Sequence, residues 1–306
     1  MQETITKVCS VSTIKKMKET YQSQLVKTPP YAVFQAKKSG VTITAYESGK
    51  VVFQGVDARD ETNKWSGEIK EKKESATTKN SPLPKDFDTW SVVGSDEVGN
   101  GSYLGPVVVC ATYVEHKHMA LLKELGVKDS KMLTDKDIRR IAKEIIHVIP
   151  YKRLTVTPEK YNDIQPRYNV NRMKVALHNQ AIYLLLKEIA PIKPEGILID
   201  QFTPEANYRK YLKQEQHPVT SPLYFTTKGE QYHLSVAAAS IICRAEFLEE
   251  LDKASSELGF TVPSGAGAAS DMAAAKILKQ GGLSLLNKYA KLHFANTKKA
   301  QAIFNR

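Results

Sequence analysis

Between residues 90 and 259 the sequence alternates short apolar runs, rich in β-branched residues, with long helical patterns. The short runs predict buried strands and the long patterns predict helices packed on them, which is typical of a layered α/β domain. Gly259 is placed to cap the last helix. The predicted strands are WSVVGSD, GPVVVCATYV, RLTVT and GILID, and the predicted helices are NVNRMKVALHNQAIYLLLKEIA and SVAAASIICRAEFLEELDKASSELG.

Residues 1–60 show a different pattern. Apolar residues at spacings of three and four predict an amphipathic helix that Ser12 or Thr13 could cap. Three β-branched and aromatic runs follow, separated by Ser39-Gly40 and Ser48-Gly49, and these predict an antiparallel meander with tight turns. The helix pattern consists of Ile14, Met17, Tyr21 and Leu25.

The segment 61–88 is charged, poor in apolar residues and ends in prolines. Such a segment buries too little surface to offset the entropy of ordering, so we interpret it as a linker. A chain of 306 residues is long enough for two domains. We therefore expect an N-terminal domain at 1–60 and an α/β domain at 89–306.

The charge balance favours a polyanionic partner, although a basic surface alone is also common on solvated proteins. Lys and Arg number 44 against 33 Asp and Glu, and this excess suits a nucleic acid. In the basic stretch 276–306 we expect Lys279, Lys288, Lys291, Lys298 and Lys299 to face outward from a helix.

Compartment and redox state follow from what the chain lacks. Its three cysteines are widely separated and form no C-x-x-C pair, so we expect reduced thiols. No run approaches the roughly 20 apolar residues that span a bilayer, and the N-terminus lacks the apolar middle of a signal peptide. We therefore expect a cytosolic protein.

Four acids stand where an α/β fold places its functional residues. Asp96 and Asp200 terminate apolar strand patterns, Glu97 follows Asp96, and Glu230 precedes the last large helix. Adjacent strand residues point to opposite faces, so Asp96 and Glu97 are expected to share a site only if the chain bends where the strand ends.

Four such carboxylates in one place would repel by about 4 kcal/mol per pair at 4 Å and an effective dielectric near 20. Protonation or bound cations relieve that repulsion, and oxygen ligands suit Mg²⁺ or Mn²⁺ in a two-ion phosphodiester hydrolysis. The alternative interpretation is structural, because a single Asp at a strand end commonly forms a turn or caps a helix.

The motifs themselves resemble the type 2 ribonucleases H. The matching segments are GSDEVGNGSYLGPVVVCATYV, VKDSKMLTDKDIRRI, ILIDQF, KGEQYHLSVAAASIICRAEF and KLHFANTKKA, in the family's order over residues 90–300. The chain resembles the HIII branch, because Asn100 replaces the arginine of the HII Gly-Arg-Gly turn, Glu230 replaces an Asp, and an N-terminal extension is present. Asn100 also departs from the threonine expected in an HIII enzyme.

This resemblance implies a ribonuclease H-like mixed sheet flanked by helices, plus a small α+β N-terminal domain with a TATA-box-binding-protein-like fold. It implies a monomeric endonuclease that cuts the RNA strand of RNA/DNA hybrids with Mg²⁺ or Mn²⁺ and leaves a 3′ hydroxyl and a 5′ phosphate. The implied metal-binding catalytic residues are Asp96, Glu97, Asp200 and Glu230.

The resemblance also implies substrate contacts. Gly99, Asn100 and Gly101 would approach the 2′ hydroxyls, where a β-carbon would hold the backbone away. Ser130 and Lys131, beside Asp129, would bind or support the substrate, with Lys131 on a phosphate; surface capping is the alternative.

Several alternatives stay open. His178 and His293 lie in apolar surroundings, which favours packing over catalysis. An HII-type enzyme would cut at single ribonucleotides in duplex DNA. A hybrid-binding protein could keep the fold without catalysis, although intact acids at all four positions argue against it.

Overall fold

The structure is a computed structural model of the chain, and it describes residues 3–28, 32–46, 49–65, 68–70 and 83–305. The chain divides into two compact units, Met1–Ser81 and Pro82–Arg306. Each unit has hydrophobic clusters of its own, so each is described by itself.

The N-terminal unit is a six-stranded antiparallel sheet with the order β2-β3-β4-β5-β1-β6. Its buried cluster joins the apolar face of α1, including Met17, to sheet residues such as Phe34, Ile43 and Phe53. The small α+β domain expected from the sequence is confirmed. Its elements are β1 Glu3–Val8, α1 Val11–Thr20, β2 Leu25–Val26, β3 Ala32–Lys38, β4 Val41–Tyr46, β5 Lys50–Gly55, α2 Ala58–Asn63 and β6 Glu68–Lys70.

Local details of this unit differ from the sequence prediction in two places. The helix begins two or three residues earlier than expected, because Ser10 rather than Ser12 or Thr13 caps it and accepts a hydrogen bond from the Thr13 amide at 3.1 Å. Strand β1 was not predicted. The glycine turns were predicted correctly: Gly40 and Gly49 have φ of 77° and 82°, while Ser48 lies outside the described residues.

Secondary structure extends into the segment 61–88, which the sequence suggested was a linker. Helix α2 and strand β6 both reach into it. Glu61 is buried and accepts hydrogen bonds from Tyr21 at 2.7 Å and from Lys38 and Lys64 at 3.1 and 2.9 Å. The helix is thus anchored by polar contacts, which a count of apolar residues does not detect. Residues 71–82 lie outside the described part of the chain.

The C-terminal unit is a five-stranded mixed sheet with the order β11-β10-β7-β8-β9. Strand β10 pairs in parallel with β7 and β11, and β7, β8 and β9 pair antiparallel. The elements are β7 Val92–Val98, β8 Val107–Val114, α3 Met119–Glu124, α4 Asp135–Ile145, β9 Tyr151–Val156, α5 Pro158–Ile164, α6 Val170–Ile189, β10 Gly196–Asp200, α7 Glu205–Leu212, β11 Leu223–Thr226, α8 Leu234–Leu258, α9 Ala268–Tyr289 and α10 Asn296–Phe304.

Helices cover both faces of this sheet, which confirms the predicted α/β layering. One buried cluster contains Cys110 and residues of α8 and α9, and the other contains Val109 and residues of α6 and α7. Helix α8 approaches β7 closely at Gly94, where an added Cβ would lie 2.4 Å from Ser235. Gly259, at φ 74°, caps α8 as predicted.

The C-terminal stretch contains one correction. Lys291 was predicted to face outward but is fully buried, and its Nζ donates to the Gly105 carbonyl. The helical spacing does not apply there, because α9 ends at Tyr289 and Ala290 is extended and bridges Leu104. The other four lysines of that set are exposed.

No helix among the described residues is long and apolar enough to cross a membrane.

Candidate active site

The two adjacent acids both belong to strand β7. The ladder with β8 continues through Asp96 and Glu97 to Val98, so the condition set from the sequence, a bend where the strand ends, is not met at the acid pair. The acids can share a site for another reason: the pairing of β7 with β10 ends at Ser95 and Ile199. Beyond that point β7 pairs on this side with no other strand in the described part of the chain, so side chains of either face can reach around its edge.

A cavity of about 520 Å³ lies at this edge and is lined by all four acids predicted from the sequence. Strand β7 supplies two of them, the end of β10 supplies Asp200, and a 3-10 turn before α8 supplies Glu230. Its full lining is Asp96, Glu97, Val98, Ser130, Lys131, Leu133, Asp135, Ile138, Asp200, Glu230, Ser240 and Arg244.

Asp96 faces α8 and is only 8% exposed. Its Oδ1 accepts a hydrogen bond from the Glu97 amide at 2.8 Å, and its carbonyl accepts one from Cys243 Sγ at 3.4 Å. Burial, followed by the charges of Glu97 and Asp200, raises the pKa of Asp96 well above its ordinary value, against the lowering effect of Ser240. This carboxyl group is therefore held toward its neutral form.

Glu97 points to the opposite face and meets α6. Lys174 Nζ donates to Oε1 at 2.9 Å, and His178 Nε2 lies 2.9 Å from Oε2. Burial opposes ionisation of Glu97, but His178 and Lys174 outweigh it and lower the pKa of Glu97. His178 Nδ1 lies 2.7 Å from Ser95 Oγ. Because a carboxylate only accepts, Nε2 is the protonated nitrogen toward Glu97.

The third and fourth acids sit where β10 and β11 end. Asp200 Oδ1 accepts from the Gly229 amide at 2.8 Å, and burial with the charges of Glu230 and Glu97 raises the pKa of Asp200. Glu230 Oε1 receives Lys131 Nζ at 3.0 Å. Lys131 is mostly exposed, so this ion pair lies at the mouth of the cavity.

The residues predicted to bind substrate fall into two groups. Ser130 and Lys131 line the cavity, with Ser130 Oγ 2.9 Å from Ser240 Oγ and Asp129 capping their 3-10 turn. Gly99, Asn100 and Gly101 are not among its lining residues and form the turn that follows β7.

The two glycines of that turn differ in what they require. At Gly99, φ is 97° and an added Cβ would lie 2.1 Å from the Pro106 carbonyl, so the fold itself demands glycine. At Gly101, which is exposed, an added Cβ would meet nothing within 4 Å. Among the described residues, the space around a Cβ added at Gly101 is therefore open, whereas at Gly99 it is filled.

Sequence reasoning missed several residues around the acids. His178 was interpreted as packing, and its ring does lie against that of Phe202 with 5.0 Å between centroids, but it also contacts Glu97. Arg244 lines the cavity and its Nη2 lies 3.2 Å from Asp135 Oδ1. His293 stacks on Tyr161, which agrees with the packing interpretation.

A larger groove of about 660 Å³ lies in the N-terminal unit between α1 and the sheet. Among the described residues, its lining is mainly apolar side chains together with Lys15, Lys18 and Glu19. It offers no cluster of acids or nucleophiles, so the smaller cavity at β7 is the candidate for chemistry.

The donor set of the β7 cavity fits a hard divalent cation, because four carboxylates converge on one space. Within the described ranges, however, no group of three or more His, Cys, Asp or Glu side chains is gathered to hold a metal ion. Glu97 is drawn toward Lys174 and His178, and Glu230 toward Lys131. The acids are present, but cationic side chains already contact two of them.

A mixed sheet with four acids at its strand ends is the architecture of a ribonuclease H-type nuclease, and the comparisons agree with that class. The family model described as Ribonuclease HII matches residues 93–297, and a domain of unknown function (DUF3378) matches residues 4–78.

Curated relatives narrow the class. Ribonuclease HIII of Enterococcus faecalis is 62% identical over 295 residues, which are 96% of this chain and 97% of that protein. Ribonuclease HIII of Listeria monocytogenes is 49% identical over 291 residues, 94% of either chain. The crystal structure of Bst-RNase HIII in complex with Mn²⁺ has 40% identity and a TM-score of 0.74, covering 99% of this chain and 100% of that one.

The chain belongs to the ribonuclease HIII family. It is a metal-dependent endoribonuclease that acts on the RNA strand of RNA/DNA hybrids.

Proposed function

We propose that the β7 cavity is the catalytic centre and that its four acids hold two divalent cations for hydrolysis of the RNA strand. The observation that supports this most directly is the convergence of Asp96, Glu97, Asp200 and Glu230 on one cavity from three separate elements. We infer Mg²⁺ as the cation, with Mn²⁺ able to replace it, as the Mn²⁺ complex of a relative suggests.

Cations held by these acids would supply Lewis-acid stabilisation of the phosphate and activation of a water. The water oxygen forms a bond to phosphorus as the bond from phosphorus to the 3′ oxygen breaks. The water loses a proton as it attacks and the 3′ oxygen gains one as it leaves, so one water is consumed to give a 3′ hydroxyl and a 5′ phosphate. Ser130 and Lys131 lie on the cavity wall, where they can hold a non-bridging phosphate oxygen.

Recognition of RNA is assigned to the turn after β7. Gly101 is exposed and has free space where a side chain would be, so its backbone can lie against a ribose 2′ hydroxyl. Gly99 and Asn100 complete the turn. We propose that Asn100 contributes through its main chain, in which case exchange of its side chain for threonine leaves KM unchanged.

The decisive experiment is cleavage of a labelled RNA/DNA hybrid by the full chain with Mg²⁺, compared with Asp96→Asn. We expect 3′ hydroxyl and 5′ phosphate ends from the wild type and loss of cleavage in the variant. Equal activity of the two proteins would remove the proposed centre. A duplex with one ribonucleotide is the matched substrate, and efficient cutting there would point to HII-type specificity instead.

We further propose that the N-terminal unit contributes to hybrid binding and that the protein acts as a monomer in the cytosol. The N-terminal unit has a buried hydrophobic cluster of its own, distinct from the clusters of the C-terminal unit. A truncated protein of residues 82–306 should first be shown by circular dichroism to be folded. Compared with the full chain, its KM for the hybrid should increase by a larger factor than its kcat decreases. An unchanged KM would contradict this role, and sedimentation would test the monomer.

A further inference from the structure

The side chains that contact Glu97 form a built arrangement on helix α6. Lys174 and His178 are four residues apart, so they lie on the same helix face, one turn from each other. Each donates to a different oxygen of Glu97, and both contacts are 2.9 Å long. One carboxylate is thus held at both of its oxygens by one helix.

The side chains of Lys174 and His178 are both shielded from solvent. The side chain of Lys174 is 7% exposed and that of His178 is fully buried. The Lys174 ammonium also lies 4.0 Å from the centroid of the Phe202 ring, and Ser95 contacts the far nitrogen of His178. A buried ammonium is costly unless it is paired, so Glu97 and Lys174 depend on each other.

We propose that Lys174 and His178 are positioning residues for Glu97, and that Lys174 is a built-in counterion which lowers the affinity of the acid cluster for a divalent cation. This rests on the proposed function, because it takes Glu97 as one of the acids that hold the cation. His178 fixes the direction of the carboxylate, and Lys174 supplies the positive charge that stabilises it while no cation is bound.

Lys174 and His178 are expected to act differently on an incoming cation. The Lys174 ammonium contacts the same carboxylate that would hold the cation, so it repels an incoming cation. In a partly buried site water screens that repulsion only in part. The His178 side chain is fully buried and its Nδ1 contacts Ser95 Oγ, so its contribution is to orient the Glu97 carboxylate. Removing Lys174 should therefore strengthen cation binding, whereas removing His178 should weaken it.

The contact with Glu230 provides an internal comparison. Lys131 pairs with Glu230 at 3.0 Å, but its side chain is 75% exposed. Water screens that charge and the side chain can swing away, so its effect on cation binding should be smaller. Lys174 has no such freedom, which makes it the stronger counterion of the two.

The experiment is a calorimetric titration of chelator-treated full-length protein with MnCl₂ in the absence of nucleic acid, which measures the affinity for Mn²⁺. We expect Lys174→Met to bind Mn²⁺ about tenfold more tightly than wild type and Lys174→Arg to match wild type. We expect His178→Asn to bind about tenfold more weakly. Lys187→Met is the matched control, because Lys187 is an exposed lysine of the same helix and should leave the affinity unchanged.

Equal or weaker Mn²⁺ binding by Lys174→Met would overturn the counterion role, and unchanged binding by His178→Asn would overturn the positioning role. If Lys174→Met folds poorly, the double variant Glu97→Gln with Lys174→Met should recover the melting temperature, since neither charge is then left alone. Failure to recover it would also count against the pairing.

Hybrid cleavage by the wild type separates this inference from the proposed function. Cleavage with no change of Mn²⁺ affinity in Lys174→Met would refute the inference alone. The reverse pattern, altered Mn²⁺ affinity without hybrid cleavage, would refute the proposed function alone.

Discussion

Asp96 and Glu97 are consecutive residues of one strand, and their carboxyl groups meet two different environments. Asp96 turns toward α8, where Ser240 and Cys243 are its neighbours and no cation compensates its charge among the described residues. Glu97 turns toward α6, where Lys174 and His178 hold both of its oxygens. The alternation of side chains along a strand is the cause of this difference.

The comparison shows how one site can hold carboxylates with different tendencies to ionise. Burial and neighbouring charges raise the pKa of Asp96, while contacts from α6 lower that of Glu97 despite burial. A close pair of acids avoids mutual repulsion when one of them favours its neutral form. Bound divalent cations would favour ionisation of both.

Substituting either acid is expected to have the largest effect, and it tests whether both faces of β7 serve the same reaction. Asp96→Asn and Glu97→Gln should each lower kcat for hybrid cleavage by about 10³-fold, because about 4 kcal/mol of transition-state stabilisation is lost. Single-turnover cleavage with saturating Mg²⁺ measures this. A loss below tenfold in Glu97→Gln would confine the chemistry to the α8 face.

Much of this site was predictable from sequence, and the parts that were not share a physical reason. The four acids follow from strand ends and family motifs, and the opposite orientation of Asp96 and Glu97 follows from strand period. The role of His178 does not, since its partner is 81 residues away on another element. Helical periodicity indicates only that the residue is buried.

The same limit explains the errors elsewhere. The apolar pattern of α9 predicted an exposed Lys291, but an extended residue after the helix changed the period. Helix α2 was missed because Glu61, a charged residue, anchors it through hydrogen bonds. In each case a contact distant in sequence decided the outcome, whereas strands, long helices and glycine turns depend on local patterns and were predicted.

The close approach of α8 to β7 gives the second prediction. Gly94→Ala should lower the free energy of unfolding by about 3 kcal/mol, because the new Cβ would lie 2.4 Å from Ser235 atoms that include backbone. Denaturant unfolding measures this. Gly101→Ala is the matched control, since its Cβ meets nothing within 4 Å, and it should change stability by less than about 0.5 kcal/mol. Similar losses in both variants would show that α8 does not constrain the Asp96 face.

The third prediction is a difference of sign between the two acids in chelator-treated protein at pH 7.5. Asp96→Asn should increase the free energy of unfolding, because an amide removes the cost of ionising a buried acid whose pKa burial raises. Glu97→Gln should decrease it by about 2 kcal/mol, because the Lys174 ammonium loses its counterion. Thermal and denaturant unfolding measure both values, and changes of the same sign would contradict the proposed asymmetry.

The dependence of those differences on pH follows from the directions of the shifts. The pKa of Asp96 is raised in the folded protein, so as pH rises the Asp96 carboxyl ionises first in the unfolded chain. The folded protein therefore loses stability as pH rises above about 4. The advantage of Asp96→Asn should therefore grow from pH 4 upward. The pKa of Glu97 is lowered, so its contribution is present above about pH 4.3 and disappears as pH falls.

The smallest expected effect concerns the counterion at the cavity mouth. Lys131→Met should change the stability of chelator-treated protein by less than about 0.5 kcal/mol, because its side chain is 75% exposed and an ion pair in water contributes little. Lys174→Met, which leaves Glu97 buried without its ammonium, should cost about 3 kcal/mol in the same assay. Parallel urea melts of the two variants give this contrast directly. Comparable losses would mean that burial does not distinguish the two lysines, and the difference between the two faces of β7 would then need another cause.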